Sequence, residues 1–193
     1  MVFNKFFSLA ILITVSFFLL SLEISCSPLE EAEDFTLTDY NGKKHTLSSY
    51  KESKAIVIIF VSTECPVSNA YNSRMEKLNK EFSQKGITFL GINSNKAESV
   101  ERIKEHSADN GLTFSILKDE KNVVADKFDA SATPEVYVLS GSLKVLYHGR
   151  IDNSKDESEV ESQDLKNALN EILEGNEVTK KETKAFGCSI KRV

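Results

Sequence analysis

Apolar and polar residues alternate along residues 35–47, on both sides of the pair Asn41 and Gly42. Alternation with a period of two is typical of a half-buried strand, and Asn-Gly is the most favoured pair for a tight β-turn. Residues 55–61 then form an unbroken apolar run rich in β-branched side chains, which indicates a strand buried on both faces. The pattern therefore predicts a hairpin followed by an internal strand.

From residue 67 the apolar positions follow the period of a helix, and Gly86 ends that helix. Its predicted buried stripe consists of Val67, Ala70, Tyr71, Met75, Leu78 and Phe82. The later elements are predicted as strands at 87–92 and 114–117, helices at 97–109 and 121–128, strands at 135–139 and 143–148, and a closing helix whose stripe runs from Val160 to Leu173. The turn at 140–142 is so short that the last two strands must be antiparallel neighbours.

This order of elements predicts an α/β fold, with a central mixed sheet flanked by helices and an N-terminal β-hairpin. The chain has 193 residues, of which 40% are hydrophobic and 27% charged, the composition of one globular domain. We place that domain at residues 35–175 and a basic C-terminal tail at 176–193. The net charge of -5 argues against nucleic acid as a partner.

The N-terminus carries the pattern of an export signal, which we place at residues 1–25. Lys5 precedes a mostly apolar run at 6–22. An uncleaved membrane anchor is the alternative, because this run is at the short end of what spans a bilayer.

The residues around Cys26 resemble the lipobox of bacterial lipoproteins, since the small residue Ser25 precedes the cysteine and Leu22 is nearby. Glu23 stands where that pattern has an aliphatic residue. The resemblance implies lipidation of Cys26, a tether at 26–34, and export across the bacterial inner membrane to the periplasmic side or the outer membrane.

The chain has three cysteines, so lipidation of Cys26 would leave Cys65 and Cys188 as a possible pair. An oxidising compartment permits a disulfide between them, although spacing alone does not show that they meet.

Cys65 lies where the first internal strand ends and the first helix begins, with Pro66 at a position that suits the first helical turn. Free backbone N–H groups at a helix start stabilise a thiolate. We therefore predict a reactive thiol, and the alternative is an inert cysteine packed like a small hydrophobic residue.

Several segments together resemble the peroxiredoxin-like proteins of the AhpC/TSA, or redoxin, family within the thioredoxin-like superfamily. Residues 65–68 resemble the two-cysteine motif of thioredoxins, with Ser68 in place of the second cysteine, and 132–136 resemble the segment that carries a cis-proline. Further likenesses lie at 62–69, 149–152 and 187–191, so that the resemblance covers about residues 33–193.

The resemblance implies a thioredoxin-like fold and a thiol oxidoreductase that needs no cofactor. The Cys65 thiolate would attack a peroxide or a disulfide, become a sulfenic acid in the first case, and be resolved by a second thiol. Ser62 would hydrogen-bond the peroxide. Pro134 would keep the approach to the sulfur open, while the Thr133 backbone pairs with a substrate chain.

Because position 68 is a serine, the second thiol must be external or distant, and Cys188 is the internal candidate. Its tail carries five basic residues against two acidic ones, which favours a thiolate there, but a passive tail cysteine remains open. Two positions depart from the peroxiredoxin pattern: Ile58 stands where a proline is usual, and the peroxide-activating arginine has no counterpart near Thr133. Arg150 is a candidate substitute, with a surface arginine as the alternative.

Two further functions are compatible with the residues. One is disulfide reduction or isomerisation on exported proteins, using an external thiol reductant. The other is a non-enzymatic module that senses redox state or carries copper. We predict no metal site, because His45, His106 and His148 are not spaced with Cys65 as a ligand set.

Overall fold

The computed structural model describes residues 29–193, so the predicted export signal and Cys26 lie outside the described residues. The strands are β1 Thr36–Asp39, β2 Lys44–Thr46, β3 Ala55–Phe60, β4 Ile87–Asn93, β5 Ser115–Lys118, β6 Ala132–Thr133, β7 Glu135–Leu139, β8 Val145–Gly149 and β9 Cys188–Ser189. The helices are α1 Pro66–Ala70, α2 Asn72–Ser83, α3 Val100–Asp109, α4 Val123–Lys127 and α5 Asp164–Leu173. None of the helices in this part of the chain is long and apolar enough to cross a membrane.

Seven strands form one sheet in the order β2-β1-β5-β4-β3-β7-β8. The three central strands β3, β4 and β5 are parallel, whereas β7 and β8 on one side and β1 and β2 on the other are joined antiparallel. The predicted α/β fold with a mixed sheet is confirmed, including its N-terminal hairpin and its antiparallel final pair. Strands β6 and β9 form a separate two-stranded sheet.

Every residue of β3 is buried, as its unbroken apolar run predicts. Val57 and Ile59 point into a core on one face of the sheet with Met75 of α2. The alternate residues of β3, Ile56, Ile58 and Phe60, pack on the other face, around Phe128. Burial on both faces agrees with the internal position of β3 between β4 and β7. The chain that leaves its carboxyl end reaches Cys65.

The helix predicted from residue 67 is in fact two helices, α1 and α2, which meet at Tyr71. The Tyr71 N–H donates to the Ser68 carbonyl at 3.0 Å, so the chain turns more tightly there before α2 continues. The helix predicted from residue 97 begins only at Val100, because the Ser99 side chain accepts the N–H of Arg102 at 3.1 Å and caps it. Glu98 is therefore left in the preceding loop.

The closing helix also begins later than its apolar stripe indicates, at Asp164 rather than near Val160. Val160 follows a short 3₁₀ turn at Glu157–Glu159 and lies outside α5.

Both segments that flank the predicted domain pack against the sheet. Within the predicted tether, the Ala32 N–H donates to Leu143 and the Glu30 carbonyl accepts from Val145, both at 2.9 Å. In the tail, the Thr183 N–H donates to the carbonyl of His148 on β8, also at 2.9 Å. The folded unit thus extends beyond both ends of the range 35–175.

Candidate active site

Cys65 caps the short helix α1 and is almost completely buried, with 3% of its surface exposed. Its sulfur accepts the backbone N–H of Ser68 at 3.3 Å, and Pro66 occupies the first helical turn. Since α1 has only five residues, this direct N–H contact is the specific interaction that can stabilise a thiolate.

Cys65 and Cys188 form a disulfide, although they are separated by 123 positions in the sequence. Their Cα atoms lie 5.9 Å apart, a normal span for a disulfide. The structure thereby brings together the two cysteines whose pairing the sequence left open.

The peptide bond between Thr133 and Pro134 is cis and lies beside this disulfide. The Thr133 carbonyl oxygen is 3.3 Å from the Cys65 sulfur. Strand β6 pairs antiparallel with β9, so that Thr133 faces Cys188 and Ala132 faces Ser189. The backbone edge predicted to receive a substrate chain is occupied here by the chain's own tail.

The Ser62 hydroxyl organises the loop that leads to Cys65. Its oxygen accepts the N–H groups of Glu64 at 3.1 Å and Cys65 at 3.0 Å, an arrangement typical of serine at a turn. Its proton is donated to the carboxylate of Glu98 at 2.5 Å. A hydrogen bond from Ser62 to a peroxide, as the resemblance implies, would require this donor to leave Glu98.

Glu98 is a buried carboxylate that the sequence reasoning did not single out. It accepts hydrogen bonds from the Thr63 N–H and the Asn93 side-chain amide, each at 2.6 Å, besides that from Ser62. The Asn93 side-chain oxygen in turn accepts from the Lys118 ammonium at 3.2 Å. Burial lowers the pKa of Lys118, and the negative charge of Glu98 acts in the opposite direction.

Glu135 holds the segment just before the cis-proline. One carboxylate oxygen accepts the N–H groups of Ser131 and Ala132, at 2.8 and 2.9 Å, and the other contacts His148 at 2.8 Å. Burial acts to raise the pKa of Glu135, but the hydrogen bond with His148 and the two backbone donors outweigh it and keep the pKa below its ordinary value. An ionised carboxylate therefore fixes the position of β6.

Arg150 and Arg74 are both engaged by carboxylates. Arg150, the candidate substitute, binds Asp164 through Nε at 2.7 Å. Arg74 is buried, binds Asp152 at 2.6 Å and lies 3.7 Å from the centre of the Tyr71 ring. Both guanidinium groups are thus paired with carboxylates.

Tyr71 connects the tail to this part of the core. Its ring packs edge-on against Phe186, with ring centres 6.3 Å apart. Burial, together with the hydrogen bond to Asp152, raises the pKa of Tyr71. Neither Tyr71 nor Arg74 has a sequence signal beyond helical periodicity, because their partners come from distant segments.

Three of the cations predicted to favour a thiolate at Cys188 are paired with carboxylates. Lys180 binds Asp164 at 2.9 Å, Lys181 contacts Glu177, and Arg192 binds Asp126 at 2.5 Å. Two of these pairs, Lys180–Asp164 and Arg192–Asp126, join the tail to the domain, whereas Lys181 and Glu177 both belong to the tail. In residues 29–193 no group of three or more His, Cys, Asp or Glu side chains is placed to hold a metal ion.

Comparison with known proteins adds three findings. The model of the AhpC/TSA family matches residues 28–148. Thiol-disulfide oxidoreductase ResA of Geobacillus kaustophilus is 28% identical over 134 residues, which cover 68% of this chain and 75% of that protein. Putative peroxiredoxin Q, chloroplastic, of Oryza sativa subsp. indica is 26% identical over 133 residues, which cover 64% of this chain and 60% of that protein.

Among solved structures, an uncharacterized conserved protein from Geobacillus kaustophilus matches with a TM-score of 0.80 and 34% identity. The match covers 85% of this chain and 92% of that one.

Proposed function

Because the chain belongs to the AhpC/TSA family, we propose that it is a thiol oxidoreductase in which Cys65 is the nucleophile that reduces a peroxide and Cys188 is the resolving thiol. The observation that carries this proposal is the Cys65–Cys188 disulfide. Cys188 can supply the second thiol that the chemistry requires. Ser68 cannot, since it occupies the position of the nearby cysteine of thioredoxins.

In the first step the Cys65 thiolate attacks one oxygen of a hydroperoxide. A sulfur–oxygen bond forms, the oxygen–oxygen bond breaks, and the leaving oxygen departs with the electron pair and takes a proton to become an alcohol or water. Cys65 is oxidised to a sulfenic acid. Cys188 then attacks this sulfur, water leaves, and the disulfide seen in the structure results.

An external thiol completes the cycle by attacking the disulfide. Cys65 is buried, whereas Cys188 is partly exposed, so Cys188 is the accessible sulfur. Attack there forms a mixed disulfide with Cys188 and releases Cys65 as a thiolate, which the Ser68 N–H stabilises. A second external thiolate then attacks the external sulfur of the mixed disulfide, so that Cys188 leaves as a thiolate, takes a proton, and the reductant departs as its own disulfide.

Thiol–disulfide exchange with other exported proteins is the second candidate. The similarity to a thiol-disulfide oxidoreductase and the presence of a cis-proline edge at Thr133 favour it. In this case Cys65 attacks a protein disulfide, and Cys188 resolves the resulting mixed disulfide.

The proposed location is outside the bacterial inner membrane, with the export signal at 1–25 and a lipid on Cys26 holding the domain at the membrane. An oxidising compartment is compatible with a protein that carries a disulfide in its resting form.

Hydrogen peroxide titration of the reduced protein distinguishes the two candidates, with Cys26→Ser as the background so that only two thiols react. If the protein is a peroxidase, each peroxide consumed should convert the two thiols into one disulfide. The oxidation of Cys65 should also be faster than that of a free thiol. Cys188→Ser should stop at a sulfenic acid that dimedone traps, and Cys65→Ser should not react. Oxidation of Cys65 no faster than that of glutathione would rule out the peroxidase and leave disulfide exchange.

A further inference from the structure

Strand β6 and the cis-proline beside Cys65 form a docking edge for an extended chain, here occupied by the tail segment 186–191. We propose that this edge accepts a cysteine-containing chain only when glycine precedes the cysteine, so that it selects the protein's own tail and refuses most other protein thiols. This inference rests on the proposed thiol chemistry of Cys65 and defines which peptides can take part in it.

The steric basis is the contact between Gly187 and Thr133. A β-carbon added to Gly187 would lie 2.0 Å from the Thr133 carbonyl oxygen and 2.7 Å from its carbonyl carbon. Both atoms belong to the backbone, so no side-chain rotation can relieve the overlap. Any residue other than glycine at this position would have to push β9 away from β6.

The Thr133 backbone, which Gly187 contacts, is held in place by several interactions. Thr133 is 1% exposed and is followed by the cis bond to Pro134. The preceding N–H groups of Ser131 and Ala132 are held by the carboxylate of Glu135. Since the edge is fixed on both sides of Thr133, the incoming chain must adapt, and glycine is the residue that fits.

Other contacts recognise the residues around the Gly-Cys pair. Two positions before the cysteine, Phe186 packs against Tyr71. Two positions after it, Ile190 is buried and its N–H donates to the Ser131 carbonyl at 2.9 Å. The edge therefore fits a chain with an aromatic residue, glycine, cysteine, any residue and an aliphatic residue, in that order.

Closure of the internal disulfide provides the first test. Gly187→Ala in the full chain should slow formation of the Cys65–Cys188 disulfide after peroxide addition by at least about tenfold, the effect of modest backbone strain. Gly175→Ala is the matched control: it carries the backbone strain of a glycine at a φ of +77°, but a β-carbon there meets nothing within 4 Å and does not touch the docking edge. In this control the Cys65–Cys188 disulfide should form at the same rate as in the unchanged protein.

Two measurements show that slow closure is not a failure to fold. Gly187→Ala should keep the far-ultraviolet circular dichroism of the unchanged protein, and its reduced Cys65 should react with iodoacetamide at least as fast, because the tail no longer covers it. Closure of Gly187→Ala at the rate of the Gly175→Ala control would overturn the inference, as would loss of the folded spectrum in Gly187→Ala alone.

External peptides provide the second test, in the full chain carrying Cys26→Ser, Gly187→Ala and Cys188→Ser. One peptide has the sequence of residues 184–191, and the other has alanine in place of its glycine. Each cysteine is activated as a 2-thiopyridyl disulfide. The Cys65 thiolate attacks the peptide sulfur, the bond to thiopyridine breaks, and the leaving thiolate takes a proton and is read by absorbance.

The glycine peptide should react at least about ten times faster than the alanine peptide, by the same steric argument. Equal rates for the two peptides would overturn the selection of glycine. This readout needs no peroxide, so a protein that fails as a peroxidase still tests the inference, and a working peroxidase can still contradict it.

Discussion

The Ser62 hydroxyl donates a 2.5 Å hydrogen bond to the buried carboxylate of Glu98, 36 positions further along the chain. The same hydroxyl oxygen accepts the N–H of Cys65. The Glu98 carboxylate, on the loop before α3, therefore holds the backbone N–H of Cys65 in place through the Ser62 hydroxyl. The buried side chain of Glu98 has the polar partners that burial requires, because Ser62, Thr63 and Asn93 all donate to it.

Glu98→Gln should slow the oxidation of Cys65 by peroxide and lower the free energy of unfolding by about 1–3 kcal/mol. Three donors converge on the carboxylate, and glutamine offers only one acceptor oxygen, so at least one buried donor loses its partner. Stopped-flow oxidation and urea unfolding measure the two effects. Glu105→Gln, an exposed change on α3, should leave both unchanged, and an equal effect of both variants would contradict a positioning role.

Reduction of the disulfide should destabilise the protein by about 2–5 kcal/mol, because the bond closes a very long loop in the unfolded chain. Urea unfolding with and without dithiothreitol measures this difference. Cys188→Ser should unfold like the reduced protein and show no response to dithiothreitol. The expectation fails if the unchanged protein has the same midpoint under both conditions.

Asp164 should make the stability of the fold depend on pH in the acid range. Its carboxylate is buried and binds Lys180, Ser162 and Arg150. Burial acts to raise the pKa of Asp164, but these hydrogen bonds outweigh it and hold the pKa below its ordinary value of 3.8.

A lowered carboxyl pKa means that the stabilisation is complete above the ordinary value and is lost as the pH falls through the folded-state value. Asp164→Asn should therefore cost about 1–3 kcal/mol at pH 7, and this difference should shrink below about pH 4. Urea unfolding at pH 7 and pH 3 measures it, with the exposed Asp109→Asn as the control. A difference that is the same at both pH values would show that the charge of Asp164 is not responsible.

Cys26 should carry a fatty acid when the full chain is expressed in a bacterium that processes lipoproteins. Labelled palmitate should be incorporated into the unchanged protein, which should be found in the membrane fraction. The Cys26→Ser variant should carry no label. Unlabelled protein that remains in the membrane would indicate an uncleaved anchor, and unlabelled protein in the soluble exported fraction would indicate simple secretion.

The sequence by itself was sufficient for the seven strands of the main sheet and for its mixed parallel and antiparallel character, but not for the strand order or for β6 and β9. The unbroken apolar run of β3 predicts burial on both faces, and the Asn41-Gly42 pair predicts the first hairpin, because both signals act over a few neighbouring residues. The position of Cys65 at the end of β3 follows from the same local order. The junction of α1 and α2 at Tyr71 escaped prediction, since the apolar period continues across it.

The tertiary structure alone decided what surrounds that cysteine. The pairing with Cys188, the contact of Gly187 with Thr133 and the burial of Glu98 join residues from distant parts of the chain. Such contacts leave no periodic signal, because each depends on how the sheet brings separate loops together. Local hydrophobic pattern thus placed Cys65 at the end of β3, whereas long-range packing brought Cys188, Glu98 and the contact of Gly187 with Thr133 to it.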